Sequence, residues 1–184
     1  MKTIFYFSRI VGNCVYSKEN KVMGKVSDLI IEWDQSPKIV ALNVKINGEI
    51  RTLDFSEIFI EKVKGQYLIK CYDLIDVKLS ENTFLIGKQI LDRQILNVNG
   101  QKLFRVNDLK LIIDNDIHLI AIDIGIEGLF RRLGIAKFLK KIKIKISNQY
   151  ILWKEIETIG FGHQGIKILN EYTKVNSNDL INTI

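Results

Sequence analysis

The sequence has 184 residues, a hydrophobic share of 47% and a formal net charge of +6. This is enough for one large or two small domains with a hydrophobic core that needs no metal or disulfide. Its two cysteines, Cys14 and Cys71, lie too far apart to indicate a disulfide framework or a zinc site. No secretory signal is visible and no segment approaches the ~20 apolar residues of a membrane helix, so we expect a cytoplasmic protein.

An internal repeat organises the chain. Residues 4–44 align with residues 84–124 at a constant offset of 80, with the apolar positions and the turns in register. Residues 53–58 then align with residues 151–156 at an offset of 98. The difference places an insertion of about 18 residues in the second copy, and the alignment predicts that one fold occurs twice.

Both copies read as β-structure, because their apolar residues are β-branched and alternate over short runs bounded by turn residues. In the first copy, every second residue from Val22 to Ile30 can share one face of a strand. Asn47-Gly48 and Asn99-Gly100 favour tight hairpins, since both residue types tolerate a positive φ. Short strands joined by such turns indicate small closed barrels. We therefore predict an all-β fold with two small barrels in tandem.

The domain boundaries follow from the repeat. The first barrel is expected at residues 1–80 and the second at 81–172, with a basic insertion at about 126–145. A short helix is predicted inside the second copy, where Gly125 to Lys141 places apolar residues on one side. The tail is expected at residues 173–184, and its part from Ser177 onward begins with capping residues, as is typical of the start of a helical domain.

Two sequence motifs carry a family resemblance. The first copy contains Val11-Gly12-Asn13-Cys14-Val15 and then Met23-Gly24-Lys25-Val26-Ser27-Asp28-Leu29, and the second contains Phe104-Arg105-Val106-Asn107-Asp108-Leu109. These motifs resemble the PRC-barrel superfamily. The run from Ile122 to Ile135, followed by Ile151-Leu152-Trp153, is similar to the paired PRC-barrel region of MgtE-type bacterial magnesium transporters. The resemblance implies a pair of barrels that regulates or assembles other domains.

The insertion holds the densest basic cluster of the chain. Such a cluster can contact an acidic partner domain, anionic lipid or RNA through its surface potential and counterion release. The alternation of Ile142, Ile144 and Ile146 with Lys143 and Lys145 favours a simpler alternative, the solvated face of a half-buried strand. The candidate partner-binding residues are Arg131, Arg132, Lys137, Lys140 and Lys141.

Carboxylates raise the question of a magnesium site. Asp114-Asn115-Asp116 lies close to Asp123 in sequence, and one or two carboxylates suffice for weak magnesium binding. Asp and Asn are also common turn formers, which is the interpretation we favour here. Asp28 and Asp108, at equivalent positions of the two copies, are predicted to cap turns. The identity of any metal ligand stays open at this point.

Catalysis finds no support in the sequence. His118 and His163 lie in no motif that places them beside a cysteine or a serine. The glycines of Gly160 to Gly165 lack the lysine of a phosphate-binding loop, and a hairpin explains them. We therefore expect no enzyme activity and no cofactor.

These observations predict a non-enzymatic cytoplasmic regulatory or assembly module that docks on a partner protein domain, as in an MgtE-like transporter. An RNA- or ribosome-associated assembly factor is the alternative. It rests on the basic composition and on the ribosome maturation factor RimM, which also carries a PRC-barrel domain. Fold resemblance alone does not decide between the two.

Overall fold

The computed structural model describes residues 2–34, 36–97, 103–134, 149–157 and 167–168. The fold is mainly β, which confirms the prediction made from the alternating apolar pattern. The strands are β1 Thr3–Tyr6, β2 Cys14–Tyr16, β3 Val22–Glu32, β4 Lys38–Ile46, β5 Glu49–Asp54, β6 Ile58–Val63, β7 Gln66–Cys71, β8 Thr83–Leu85, β9 Gln94–Asn97, β10 Leu103–Arg105, β11 Asp108–Ile113, β12 Ile117–Asp123, β13 Tyr150–Leu152, β14 Ile156–Glu157 and β15 Lys167–Ile168. The helices are α1 Ile86–Gln89 and α2 Ile126–Arg132, with 3-10 turns at Phe7–Arg9, Phe55–Glu57 and Trp153–Glu155.

The described strands form one large curled sheet and one small sheet. The large sheet has eleven strands in the order β1-β11-β12-β4-β3-β2-β7-β6, with β13, β5 and β8 pairing β12, β4 and β3. The small sheet has the order β10-β9-β15-β14. The large sheet crosses the predicted boundary at residue 80. The described residues of the first half (1–80) and of the second half (81–172) therefore share a sheet, and two tandem barrels are not confirmed.

Strand pairings nevertheless recur between the halves. The strands of the first half follow the order β5-β4-β3-β2-β7-β6. The second half has the equivalent order in two pieces, β13-β12-β11 in the large sheet and β10-β9-β15-β14 in the small sheet. The single long strand β3 thus corresponds to the two strands β10 and β11. Asp28 pairs with Asn43 between β3 and β4, and Asp108 pairs with Asp123 between β11 and β12. β2 pairs with β7 in parallel, and its equivalent β9 pairs with β15 in parallel. The other described strand pairs are antiparallel. The register between β3 and β4 thus coincides with the register between β11 and β12 at the offset of 80.

The first strand of each half is exchanged with the other half. β1 pairs with β11, with Tyr6 opposite Lys110, and β8 pairs with β3, with Leu85 opposite Ile30. At the centre of the large sheet, His118 pairs with Lys38, the residue 80 positions earlier. Equivalent residues meet in this way where two copies are related by a two-fold axis. The junction is therefore reciprocal, since each half completes the sheet of the other.

Local sequence explains two features of this architecture. Asn47 and Gly48 both have positive φ, which confirms the hairpin predicted between β4 and β5; Asn99-Gly100 lies outside the described residues. In β3 the register shifts between Val26 and Asp28. Because this bulge reverses the alternation, Val26 and Leu29 both enter the core. The predicted common face from Val22 to Ile30 therefore ends at the bulge.

Two buried aspartates bind the exchanged segments. Asp28 accepts hydrogen bonds from the backbone N–H groups of Gly87 (2.7 Å) and Lys88 (3.0 Å) in α1, and from its neighbour Leu29 (2.8 Å). Its counterpart Asp108 accepts hydrogen bonds from the backbone N–H and the hydroxyl of Ser8, at 3.1 and 2.6 Å. The two carboxylates do bind turns, as predicted for caps, but each turn belongs to the opposite half.

Asp28→Asn should destabilise the fold. The substitution preserves the shape of the side chain but turns an NH2 group toward backbone N–H donors, so at least one of them loses its acceptor. We expect the free energy of unfolding, measured by urea denaturation, to fall by about 1–3 kcal/mol. Asp73→Asn, at an exposed position, is the matched control and should have little effect. Equal stability of the two variants would contradict a role of Asp28 in joining the halves.

Candidate functional site

Arg131 occupies the centre of a buried ion cluster at the junction of the halves. Helix α2 carries it, and Gly128 lets this helix approach β12 closely, since a Cβ there would lie 2.8 Å from an Asp123 carboxylate oxygen. The Nη1 atom of Arg131 is 2.8 Å from Asp108 Oδ2 and 3.2 Å from Asp123 Oδ2. The Arg131 side chain is only 4% exposed. The guanidinium of Arg131 therefore joins the neighbouring strands β11 and β12 through their carboxylates.

Backbone and hydroxyl donors fix the two carboxylates. Asp108 accepts hydrogen bonds from the Ser8 hydroxyl at 2.6 Å and from the Leu109 N–H at 2.9 Å, besides its ion pair with Arg131. Asp123 accepts a hydrogen bond from the Gly125 N–H at 2.8 Å. A buried carboxylate is tolerated only with such partners, because it has lost its hydration.

Two tyrosines and a lysine extend the cluster. The hydroxyls of Tyr6 and Tyr150 are hydrogen-bonded at 2.7 Å. The guanidinium carbon of Arg131 lies 3.4 Å from the centre of the Tyr6 ring, and the Lys110 ammonium lies 4.2 Å from the centre of the Tyr150 ring. Cations over aromatic faces gain more when they are shielded from water, as here. Tyr6 comes from the first half, and the other five residues of the cluster come from the second.

Burial shifts the pKa values of two groups in this cluster, Asp123 and Lys110, in opposite directions. Loss of hydration raises the pKa of Asp123 to about 6, although the Arg131 charge and the Gly125 N–H oppose the shift. Loss of hydration also lowers the pKa of Lys110 to about 8, while the Asp123 charge opposes that shift. Burial thus disfavours the charged form of both groups. With Asp108 and Arg131, the cluster contains two acidic and two basic groups.

The predicted partner-binding residues that the structure describes, Arg131 and Arg132, do not form an open basic surface. Arg131 is internal, so its guanidinium is not available to a partner. Arg132 is 25% exposed and its Nη2 atom lies 2.8 Å from Asp92, which also contacts Arg105 at 2.7 Å. The remaining predicted residues lie outside the described part of the chain: Lys137, Lys140 and Lys141. Both arginines are therefore bound to carboxylates of the same chain.

The described residues bring no metal ligands together. Asp116 forms an ion pair with Lys38 at 2.9 Å, and Asp123 is bound to Arg131. Within these residues no group of three or more His, Cys, Asp or Glu side chains is arranged to hold a metal ion. His118 contacts Ser36, and Cys71 donates a hydrogen bond to the Asp73 carbonyl at 3.0 Å. His163 and the glycines of Gly160 to Gly165 lie outside the described residues.

Comparisons with other proteins do not assign a role to this cluster. No protein-family model and no curated protein matches the sequence. Among the helices described, none is long and apolar enough to span a bilayer. The sequence pattern did not predict this cluster. One signal for it is present, because Lys110 is a lone charge within the apolar run from Leu109 to Ile113. What the chain does must therefore be inferred from its own geometry.

Arg131→Met should destabilise the protein far more than Arg132→Met. Loss of the buried guanidinium leaves Asp108 and Asp123 close together without the ion-pair partner they share, which typically costs about 3–5 kcal/mol. Arg132 belongs to a more exposed ion pair, for which about 1 kcal/mol or less is expected. Urea denaturation of the two variants measures the difference. Similar losses from both would show that the buried cluster does not hold the junction.

Lys110 and Asp123 should give the unfolding free energy opposite pH dependences. The folded state binds the extra proton of Asp123 between about pH 4 and pH 6, so this group lowers stability as the pH rises through that window. The unfolded state binds the extra proton of Lys110 between about pH 8 and pH 10.5, so stability rises there. Urea denaturation should show that Asp123→Asn removes the acidic slope and Lys110→Met the alkaline slope. Unchanged slopes would contradict these pKa shifts.

Proposed function

We propose that the chain is a non-enzymatic regulatory or assembly module that consists of two PRC-barrel-like units. The recurrence of strand order and register at the offset of 80 supports a duplicated unit. The exchange of β1 and β8 joins the units into one body. Such a body presents the surfaces of both units to a partner in a fixed geometry.

The observation that carries the proposal is the internal use of the buried charges. Arg131, Asp108 and Asp123 bind one another, and Ser8 from the first half completes their hydrogen bonds. A catalytic group has to reach a substrate, whereas these groups face one another behind Tyr6 and Tyr150. Their arrangement serves to hold the two halves in one orientation, as a binding or regulatory module requires.

The resemblance to the region that precedes the intracellular domain of MgtE-type transporters suggests the partner. In this proposal the module docks on a neighbouring domain of a magnesium transport system and biases its response to magnesium. An RNA-associated role draws less support, since Arg131 is buried and Arg132 is bound to Asp92. Those two arginines are two of the five basic residues from which partner or RNA binding was expected.

Removal of residues 1–170 should alter the magnesium response of the cells that express this protein. We expect the external magnesium concentration that half-suppresses uptake to shift by about fivefold or more, a typical size for coupling between sites. Uptake of radioactive or isotopically enriched magnesium measures the shift. Re-expression of the intact protein is the control and should restore the original curve. Coincident curves with and without residues 1–170 would contradict the regulatory role.

A further inference from the structure

An open groove lies at the junction, on the side of the large sheet next to β6. It has a volume of about 620 Å³. Its apolar walls come from both halves, with Val40, Phe55 and Phe59 from the first half and Ile113 and Ile117 from the second. Phe59 is 47% exposed, and in the described part of the chain β6 pairs only with β7. The groove therefore offers both an apolar surface and a strand edge.

The reciprocal position of the junction is closed by two indoles. At the offsets of 80 and 98, Ile113 corresponds to Trp33 and Phe55 corresponds to Trp153. The ring centroids of Trp33 and Trp153 are 4.8 Å apart, and Trp33 also lies edge-on to Phe84 at 5.5 Å. Trp153 is buried. Among the residues that the structure describes, large aromatic side chains thus fill one side of the junction and leave the other side open.

The rim of the groove is acidic, although the chain as a whole is basic. Asp54, Asp114 and Asp116 surround it, against the single ammonium of Lys38. Lys38 pairs with Asp116 at 2.9 Å, which leaves two carboxylates in excess. A hydrogen bond from the Ser56 N–H lowers the pKa of Asp54, so that this group is charged at neutral pH. A ligand with positive charge beside its apolar group would complement this rim.

We propose that the groove binds a segment of a partner protein that carries a tryptophan or another large aromatic side chain next to lysine or arginine. The aromatic side chain takes the place that Trp33 and Trp153 fill on the reciprocal side. The flanking cations face Asp54 and Asp114, and the extended backbone of the segment runs beside β6. This inference rests on the proposed binding function and names its partner class, but the magnesium measurement above does not involve the groove and can succeed or fail separately.

A short amidated peptide, Ser-Lys-Trp-Lys-Ser, is the probe. Titration of the isotopically labelled full chain should shift the amide NMR signals of Phe55, Phe59 and residues 113–117, with a Kd of ~1 mM or tighter. A peptide with alanine in place of tryptophan, and one with glutamate in place of both lysines, should each bind about tenfold more weakly. Shifts located elsewhere, or equal affinity for the alanine peptide, would overturn the proposal.

Ile113→Trp tests the groove by filling it in the way that Trp33 fills the reciprocal side. We expect this variant to lose peptide affinity by about tenfold or more. Val22→Trp adds an indole at an exposed position away from the groove and should bind the peptide as the unaltered chain does. Asp114→Lys removes the excess negative charge of the rim, so this variant should bind the lysine peptide and the glutamate peptide with similar affinity. This comparison does not depend on how Ile113→Trp folds. A wild-type chain that shows no shift, because a second copy or its own segment occupies the groove, would refute the proposal.

Discussion

The structure depends on buried carboxylates that accept hydrogen bonds from the opposite half. Asp108 lies in β11, yet its donors include the N–H and hydroxyl of Ser8 from the beginning of the chain. Asp28 repeats the arrangement with Gly87 and Lys88. Because a carboxylate in a core is costly without donors, each half requires the exchanged segment of the other. The hydrogen bonds of Asp108 and Asp28 thus help to fix the positions of β1 and β8 beside the opposite half, while the pairing of β12 with β4 makes the large sheet continuous.

The halves then differ where helix α2 is present. In the second half, Asp123 and Asp108 share the charge of Arg131. In the first half, the residue equivalent to Asp123 is Asn43, whose amide oxygen accepts a hydrogen bond from the Thr52 hydroxyl at 2.8 Å. The second half thus has a second carboxylate, Asp123, beside the guanidinium of Arg131, whereas the first half has the neutral amide of Asn43 at the equivalent position. The sequence difference between the halves therefore follows from charge balance.

Local pattern predicted local structure and failed for contacts between distant residues. Alternation indicated the strands, and Asn47-Gly48 indicated a hairpin, because both depend on neighbouring residues. The exchange of β1 could not be predicted in this way, since an alternating strand fits equally well beside more than one partner. Arg131 looked like a surface residue for the same reason. Its carboxylates lie 8 and 23 positions away, on two strands that meet only after folding.

The two sides of the junction divide its tasks. Where Trp33 meets Trp153, edge-to-face aromatic contacts at 4.8 Å and full burial of one indole hold the halves together. Ile113 and Phe55 stand at the equivalent positions on the other side, where Phe59 keeps nearly half of its surface exposed. A structure in which aromatic side chains closed both sides would have no apolar groove at its junction. The closed side thus joins the halves through aromatic packing while the open side keeps an apolar groove, and duplication alone would not produce this asymmetry.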